Sequence, residues 1–287
     1  PVSIEIPIDQ QGAPLDIESP FAPPRIVPLA PDEAALDRVA DALAGHRRPI
    51  LWAGGGAKHA RQEVRELVDM GFAVVTSIQG RGIVPEDDAR GLAAFNSQPA
   101  IEQFYGTCDA LLVAGSRLRV PETLSHQLKL PPAIYQLDCD PEAFNRSYPM
   151  RDFVLGDTKL ALAGLIRRLK GRLKLDPALQ KDAAAARAQA EKTVRAAWKP
   201  YDGVSDALQK VVGRDLNWVR DVTIANATWG NRLFQLFDTG QVIGIDNGHD
   251  TERHGIQVVA NLQIDAKTLD TTASEAALPS LDVSAMK

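Results

Sequence analysis

Four short apolar runs mark the first half of the chain, at residues 50–53, 72–76, 110–114 and 133–137. They are rich in Val, Ile and Leu and do not alternate with polar residues, which is how strands covered on both faces read. Between them, residues 58–70, 99–106 and 121–128 carry spacing compatible with helices. Strands alternating with helices in this way predict a doubly wound α/β domain around a parallel sheet. A helix should enter this domain at Asp32, a good N-cap, with Leu36, Val39, Ala40 and Leu43 on one face and Gly45 at its end. The domain should close in "VLGDTKLALAGLIRRLKG", where Asp157 caps a last helix that turns Leu160, Leu162 and Leu165 inward.

The flanks read differently. "PVSIEIPID" alternates Val2, Ile4, Ile6 and Ile8 with other residues, a strand pattern from the first position, as if an upstream element were missing. Residues 10–31 hold six of the nineteen prolines, a composition for an extended linker. Residues 176–199 are rich in Ala, Lys and Glu and predict a helix with a thin apolar face, read as a connector. A second α/β unit then starts, with a helix at 204–212, a strand at 219–224 and a helix at 229–237, before periodicity fades after Gln241. The chain thus divides into 1–28, a terminal strand and linker; 29–172, a central domain; 173–203, a helical connector; and 204–287, a partial second α/β unit.

Composition narrows the function. The 287 residues are 45% hydrophobic and 24% charged, with a net charge of −5, so there is no basic field for nucleic acid or an anionic membrane. No apolar run reaches the ~18 residues of a membrane span, and no signal peptide is visible, so a soluble, cytoplasmic protein is expected. Cys108 precedes one predicted strand and Cys139 follows the next, which puts the two thiols at opposite ends of the sheet as reduced residues.

The chemistry concentrates in three places. Gly54, Gly55 and Gly56 follow the first strand, where a helix N-terminus could receive a phosphate. The dinucleotide fingerprint is incomplete: its third position falls on His59, and Thr76 and Ser77 stand where an acidic residue should end the next strand. A tight structural turn and a phosphate site both remain open. Asp138 and Asp140 follow another strand, either to hold ribose hydroxyls or, for Asp140 with Pro141, to open a turn. "DNGHDTERH" carries His249, Asp250, Glu252 and His254, which reads as a solvated loop or, less naturally, as a metal site. There is no H-E-x-x-H motif and no Ser/His/Asp order.

Taken in order, "PVSIEIPID", "RPILWAGGGA", "GRGIVPEDD", "CDALLVAGSRL", "YQLDCDPEAFNRSYP" and "VLGDTKLALAGLI" resemble the thiamine diphosphate-dependent enzymes of the acetolactate synthase, benzoylformate decarboxylase and 2-oxoacid decarboxylase superfamily. The resemblance extends to about Gly240 and implies a Rossmann-like central domain between parts of a pyrimidine-binding and a diphosphate-binding domain. It implies thiamine diphosphate and Mg2+ as cofactors of the intact enzyme, a 2-oxoacid as substrate, and subunit association. In acetolactate synthase-like members the central domain holds FAD; Gly54, Gly55, Gly56 and Arg117 match the contacting positions. "ANATW" matches a place that touches the cofactor diphosphate, so Asn226 and Thr228 are candidates there or, equally, caps of the following helix.

This sequence also departs from the family. Glu5 does not match the catalytic glutamate, "VIGIDNGHDTERH" replaces the Gly-Asp-Gly motif that carries Mg2+, and "GSRLRVPE" lacks the acidic pair expected after Arg117. The expectation is a fragment of a decarboxylase or carboligase, inactive as an isolated chain. The alternatives are a non-catalytic module for FAD, NAD or ADP, and a truncated gene product.

Overall fold

The fold is that of a computed structural model, which describes residues 27–197 together with residues 206, 210, 217–218 and 257–258. Helix α1 (Glu33–Ala44) begins where the Asp32 carboxylate accepts the Ala35 N–H at 3.1 Å. Its face of Leu36, Val39, Ala40 and Leu43 is fully buried. Strand β1 (Pro49–Ala53) follows, then a 3-10 segment (Gly55–Ala60), α2 (Arg61–Asp69) and β2 (Ala73–Thr76). Helix α3 (Pro99–Tyr105) leads to β3 (Ala110–Ala114), and β4 (Ile134–Asp138) and β5 (Asp152–Leu155) complete the sheet before α4 (Thr158–Leu169) and α5 (Leu179–Ala197).

The five strands lie in the order β2-β1-β3-β4-β5, and every pairing is parallel. Alternate strand residues bury into two cores. Leu51, Ala53, Val74, Leu112 and Leu137 meet α1, α2 and α4 on one face. Ile50, Trp52, Val75, Leu111 and Val113 meet α3 and α5 on the other. Because both faces are covered, the strands carry no polar side, and the expected doubly wound α/β architecture stands.

Four details differ from the sequence reading. Strand β5 was not among the apolar runs, because it lies at the sheet edge and only Val154 of its four residues is fully buried. Residues 58–70 are not one helix: the chain winds tightly through Gly55–Ala60 before α2 begins.

Residues 121–128 form no α-helix. After a 3-10 turn (Val120–Glu122), Leu124, Ser125 and His126 take φ of 50°, 58° and 63°. Thr123 competes with helical bonding there: its hydroxyl donates to the Arg119 carbonyl and accepts from the His126 N–H. In α4, Leu160 is 41% exposed, while Leu162, Leu165 and Leu169 are buried. Two residues apart on a helix is opposite rather than adjacent, so Leu160 and Leu162 cannot share a face.

Helix α5 does more than connect. It lays a stripe of Leu179, Ala183, Ala190 and Val194 against the second core. Arg187 reaches from it to the carbonyls of Glu86, Asp88 and Gly91, tying down the loop after β2. Arg48, at the threshold of β1, pairs with Asp176 and Asp182 at the same end of the helix. Elsewhere, Asn217–Trp218 and Gln257–Val258 form a short parallel ladder, a pairing that no periodicity announced. The N-terminal strand and the strand and helices expected at 204–237 lie outside the described residues, apart from these isolated positions.

Candidate functional site

In an open parallel sheet, ligands settle beyond the carboxyl ends of the strands where the strand order reverses. Here the reversal falls between β1 and β3. A crevice of about 320 Å3 opens at that point, lined by the turns after all five strands. The sequence candidates Gly55, Gly56, Arg117 and Asp138 all line it.

The glycine turn is spent mainly on closeness of backbone. A Cβ on Gly54 would lie 2.2 Å from the Gly115 carbonyl oxygen, and one on Gly56 would lie 2.9 Å from the Gly115 Cα. Gly115 itself has φ of 59°, which favours glycine. The turn donors are engaged as well. The Gly54 N–H donates to the Ala114 carbonyl at 2.8 Å, the Gly56 N–H to the Gly115 carbonyl at 2.9 Å, and the Ala57 N–H to the Gly54 carbonyl at 3.0 Å. The first two bonds stitch the turn after β1 to the end of β3, and the third closes the turn on itself. Gly55 differs, facing the Gln79 side chain at the crevice wall.

Asp138 ends β4 and is 8% exposed. Burial raises the pKa of its carboxyl, an effect partly opposed by the Asp140 N–H, which donates to Oδ1 at 3.0 Å. Asp140 opens the next turn by accepting the Glu142 N–H, and its other oxygen receives the half-exposed Arg117 guanidinium at 2.6 Å. Of the two roles left open for this pair, Asp140 takes the turn and Asp138 faces the crevice.

Ser116, Arg119 and Glu122 are among the crevice residues that escaped the sequence reading as site residues. Glu122 is 2% exposed, and its Oε1 accepts the Ile78 N–H at 2.7 Å. The left-handed turn that follows it gave no signal in the residue pattern. Buried Gln136 donates to the Ser116 carbonyl and so fixes the turn that carries Arg117. Asp157 is the expected cap, its carboxylate accepting the Leu160 N–H at 3.0 Å, and it also lines the crevice.

The fit to a flavin dinucleotide can be tested on these donors. A diphosphate needs free N–H groups or unpaired cations. The donors at the turns after β1, β2, β4 and β5 named above are taken by the chain itself, and Arg117 and Arg119 each face a carboxylate. The carboxylates of Glu122, Asp138 and Asp157 in the walls weigh against the FAD diphosphate, while the N–H groups of Gly55, Gln79 and Ser116 are not among the donors so engaged.

Asn226, Thr228 and the His249–His254 stretch lie outside the described residues. Among the described residues no three His, Cys, Asp or Glu side chains could hold a metal ion together. Both cysteines there are free, Cys108 buried and Cys139 exposed. No helix among these residues is long and apolar enough to cross a membrane.

Residues 36–165 match the family model described as "Thiamine pyrophosphate enzyme, central domain". This segment carries the central domain of the thiamine pyrophosphate enzymes. It is 31% identical over 213 residues to "Probable 2-ketoarginine decarboxylase AruI" of Pseudomonas aeruginosa, an alignment covering 72% of this chain and 37% of that protein. To acetolactate synthase 1, chloroplastic, of Zea mays it is 30% identical over 184 residues, covering 60% of this chain and 28% of that protein. A solved chain from Mycobacterium smegmatis, described as thiamin diphosphate-dependent, aligns with a TM-score of 0.43 and 23% identity, over 53% of this chain and 31% of that one. The chain spans about a third of the length of these curated relatives. The matched segment coincides with the sheet and its first four helices, so the thiamine pyrophosphate enzyme central domain and the doubly wound unit are the same object.

Proposed function

We propose that this chain is the central portion of an enzyme that decarboxylates a 2-oxoacid or condenses it with a second carbonyl compound, in the manner of acetolactate synthases and 2-oxoacid decarboxylases. The observation that carries this reading is the match of residues 36–165 to the central domain of the family, supported by relatives named for both kinds of reaction. Thiamine diphosphate, held with Mg2+ in the assembled enzyme, would supply the electron sink. Asn226 and Thr228 are assigned to its diphosphate. The described domain is assigned the part of a spacer, with Gly54, Gly55, Gly56, Arg117 and Asp138 as its candidate cofactor-binding residues.

On this reading the 287-residue chain by itself does not turn over a 2-oxoacid, and it associates with further copies or domains to complete a site. The test is consumption of pyruvate, benzoylformate and 2-ketoarginine with thiamine diphosphate and Mg2+ added. The expected result is no turnover by the isolated chain and thiamine-dependent turnover by the product of the full surrounding reading frame. Turnover by the isolated chain overturns the first part, and none by the full product overturns the second. Fractionation of cells should find the protein in the cytoplasm.

A second reading is favoured by the crevice at the switch point: a non-catalytic nucleotide-binding or assembly module. Ligand-dependent stability without turnover by the full product would select it.

A further inference from the structure

We infer that residues 120–128 form a two-state wall of the crevice: a left-handed turn that holds Glu122 in place, in equilibrium with an α-helix that withdraws it. The inference concerns the described domain alone and stands whether or not the thiamine reading holds.

Local preference and observed conformation disagree in this segment. "VPETLSHQL" carries Pro121 where a first helical turn accepts proline, a glutamate beside it, and no glycine. Val120, Leu124 and Leu128 recur at a spacing of four, which places them along one face of a helix. The chain instead turns Leu124, Ser125 and His126 to φ of 50°, 58° and 63°. Each of these three successive residues is disfavoured there, because its Cβ crowds the following carbonyl oxygen. The turn also leaves apolar surface wet: Leu128 is buried in the second core, but Val120 is 51% and Leu124 48% exposed. Winding residues 120–128 into a helix would relieve the left-handed backbone and bring Val120 and Leu124 into line with Leu128.

What holds the turn is a small set of polar contacts. The Thr123 hydroxyl donates to the Arg119 carbonyl at 3.0 Å and accepts the His126 N–H at 3.3 Å. The Ser125 and Leu128 N–H groups reach back to the carbonyls of Val120 and Thr123, one residue further than an α-helix allows. The Glu122 carboxylate accepts the Ile78 N–H at 2.7 Å. Both flanks are tied independently of the turn. Gln136 donates to the Ser116 carbonyl at 2.9 Å, and the Lys129 N–H donates to the Glu102 carboxylate at 2.8 Å. Glu122 lies two residues from both Val120 and Leu124, which on a helix is the opposite side. The helical form therefore carries Glu122 out from under Ile78 and frees that N–H. It takes one carboxylate out of the crevice wall, so the crevice is wider and less acidic in that form.

Relaxation-dispersion NMR on the isotope-labelled 287-residue chain tests this, since it reads exchange on the microsecond-to-millisecond scale of such local rearrangements. The amides of residues 125–128 and of Ile78 should exchange together, and the Cα shifts of the minor form should move to helical values. Ser125→Gly places a glycine where φ is 58°, which favours the turn and weakens the helix, so the exchange should disappear. Thr123→Ala removes the hydroxyl latch and adds helix propensity, so the helical population should rise roughly tenfold. A helical population in Thr123→Ala no larger than in the parent overturns the proposal. So does exchange that survives Ser125→Gly undiminished, or exchange at residues 125–128 that leaves Ile78 untouched, because Glu122 would then not move with the segment. Should Thr123→Ala fail to fold, the comparison of Ser125→Gly with the parent decides.

Discussion

Gly54 and Gly115 meet backbone to backbone across the switch point, so closely that a side chain on Gly54 would stand 2.2 Å from the Gly115 carbonyl oxygen. The contact joins the turns after β1 and β3, the two strands between which the sheet reverses its winding. The glycines that resemble a phosphate cradle are therefore first a packing device, and the crevice owes its shape to them.

Gly54→Ala should consequently cost roughly 1–3 kcal/mol, and more where the backbone has to move, because the atoms it strikes are backbone and cannot swing aside. Gly55→Ala is the control. Its Cβ would meet the Gln79 Cβ at 3.2 Å, a tight contact with a side chain, and the expected change is within about 0.5 kcal/mol. Urea denaturation of both variants measures the difference. Equal costs would contradict the packing role.

In α4 the sequence suggested three inward leucines, but Leu160 faces solvent and Leu162 the core. Leu162→Ala should lose about 2–5 kcal/mol, the usual range for a buried leucine. Leu160→Ala should change stability by no more than about 0.5 kcal/mol. A large loss at Leu160 would mean that its exposed side is covered by something in solution.

Most of the fold was legible because its cause is local. β1 to β4 are buried on both faces and so carry unbroken apolar runs, while Asp32 and Asp157 announce helix starts through short-range bonds to their own first turns. β5 was hidden because an edge strand needs little apolar residue, and Asp152 at its start is held instead by Arg38 on the surface. The site was less legible. Glu122 looks like an ordinary helix residue until the chain turns left-handed after it and drives it under Ile78. That contact spans 44 residues of sequence and leaves no periodic trace. Gly54 to Gly56 were visible as a turn, but whether their N–H groups were free depended on Ala114 and Gly115, on another strand.

The two thiols should separate cleanly in reactivity. Cys108 is 5% exposed, and burial pushes its thiol up to about 12. Thiolate is the reacting species, so Cys108 should be inert to Ellman's reagent at pH 8 in the folded chain. Cys139 is exposed at the crevice rim, and its pKa is also raised, chiefly by desolvation and then by Asp138; it should react slowly. One equivalent is expected in the native protein and two in denaturant, with Cys139→Ser abolishing the native signal. Rapid labelling of two thiols would mean that the second core opens easily.

Two aspartates should move stability with pH in opposite directions. Asp88 has its pKa lowered first by the Arg90 side chain, which bonds it at 2.8 Å. A lowered folded pKa means that the unfolded chain takes up the proton first. The stability from this pair is therefore complete above the ordinary carboxylate pKa of about 3.9 and is lost as pH falls through the lowered value. Asp138 has its pKa raised by burial, so the folded chain binds the proton first. Its charge costs stability as pH rises from the ordinary carboxylate value through the raised one, and the cost persists at neutrality. Asp88→Asn should therefore be less stable than the parent at pH 7, with the gap narrowing toward pH 3. Asp138→Asn, which keeps an oxygen for the Asp140 N–H, should be at least as stable as the parent at pH 7, and any advantage should vanish in acid. Urea midpoints from pH 3 to 8 read both curves. If Asp138→Asn loses stability at neutral pH, its ionised carboxylate holds the crevice together rather than straining it.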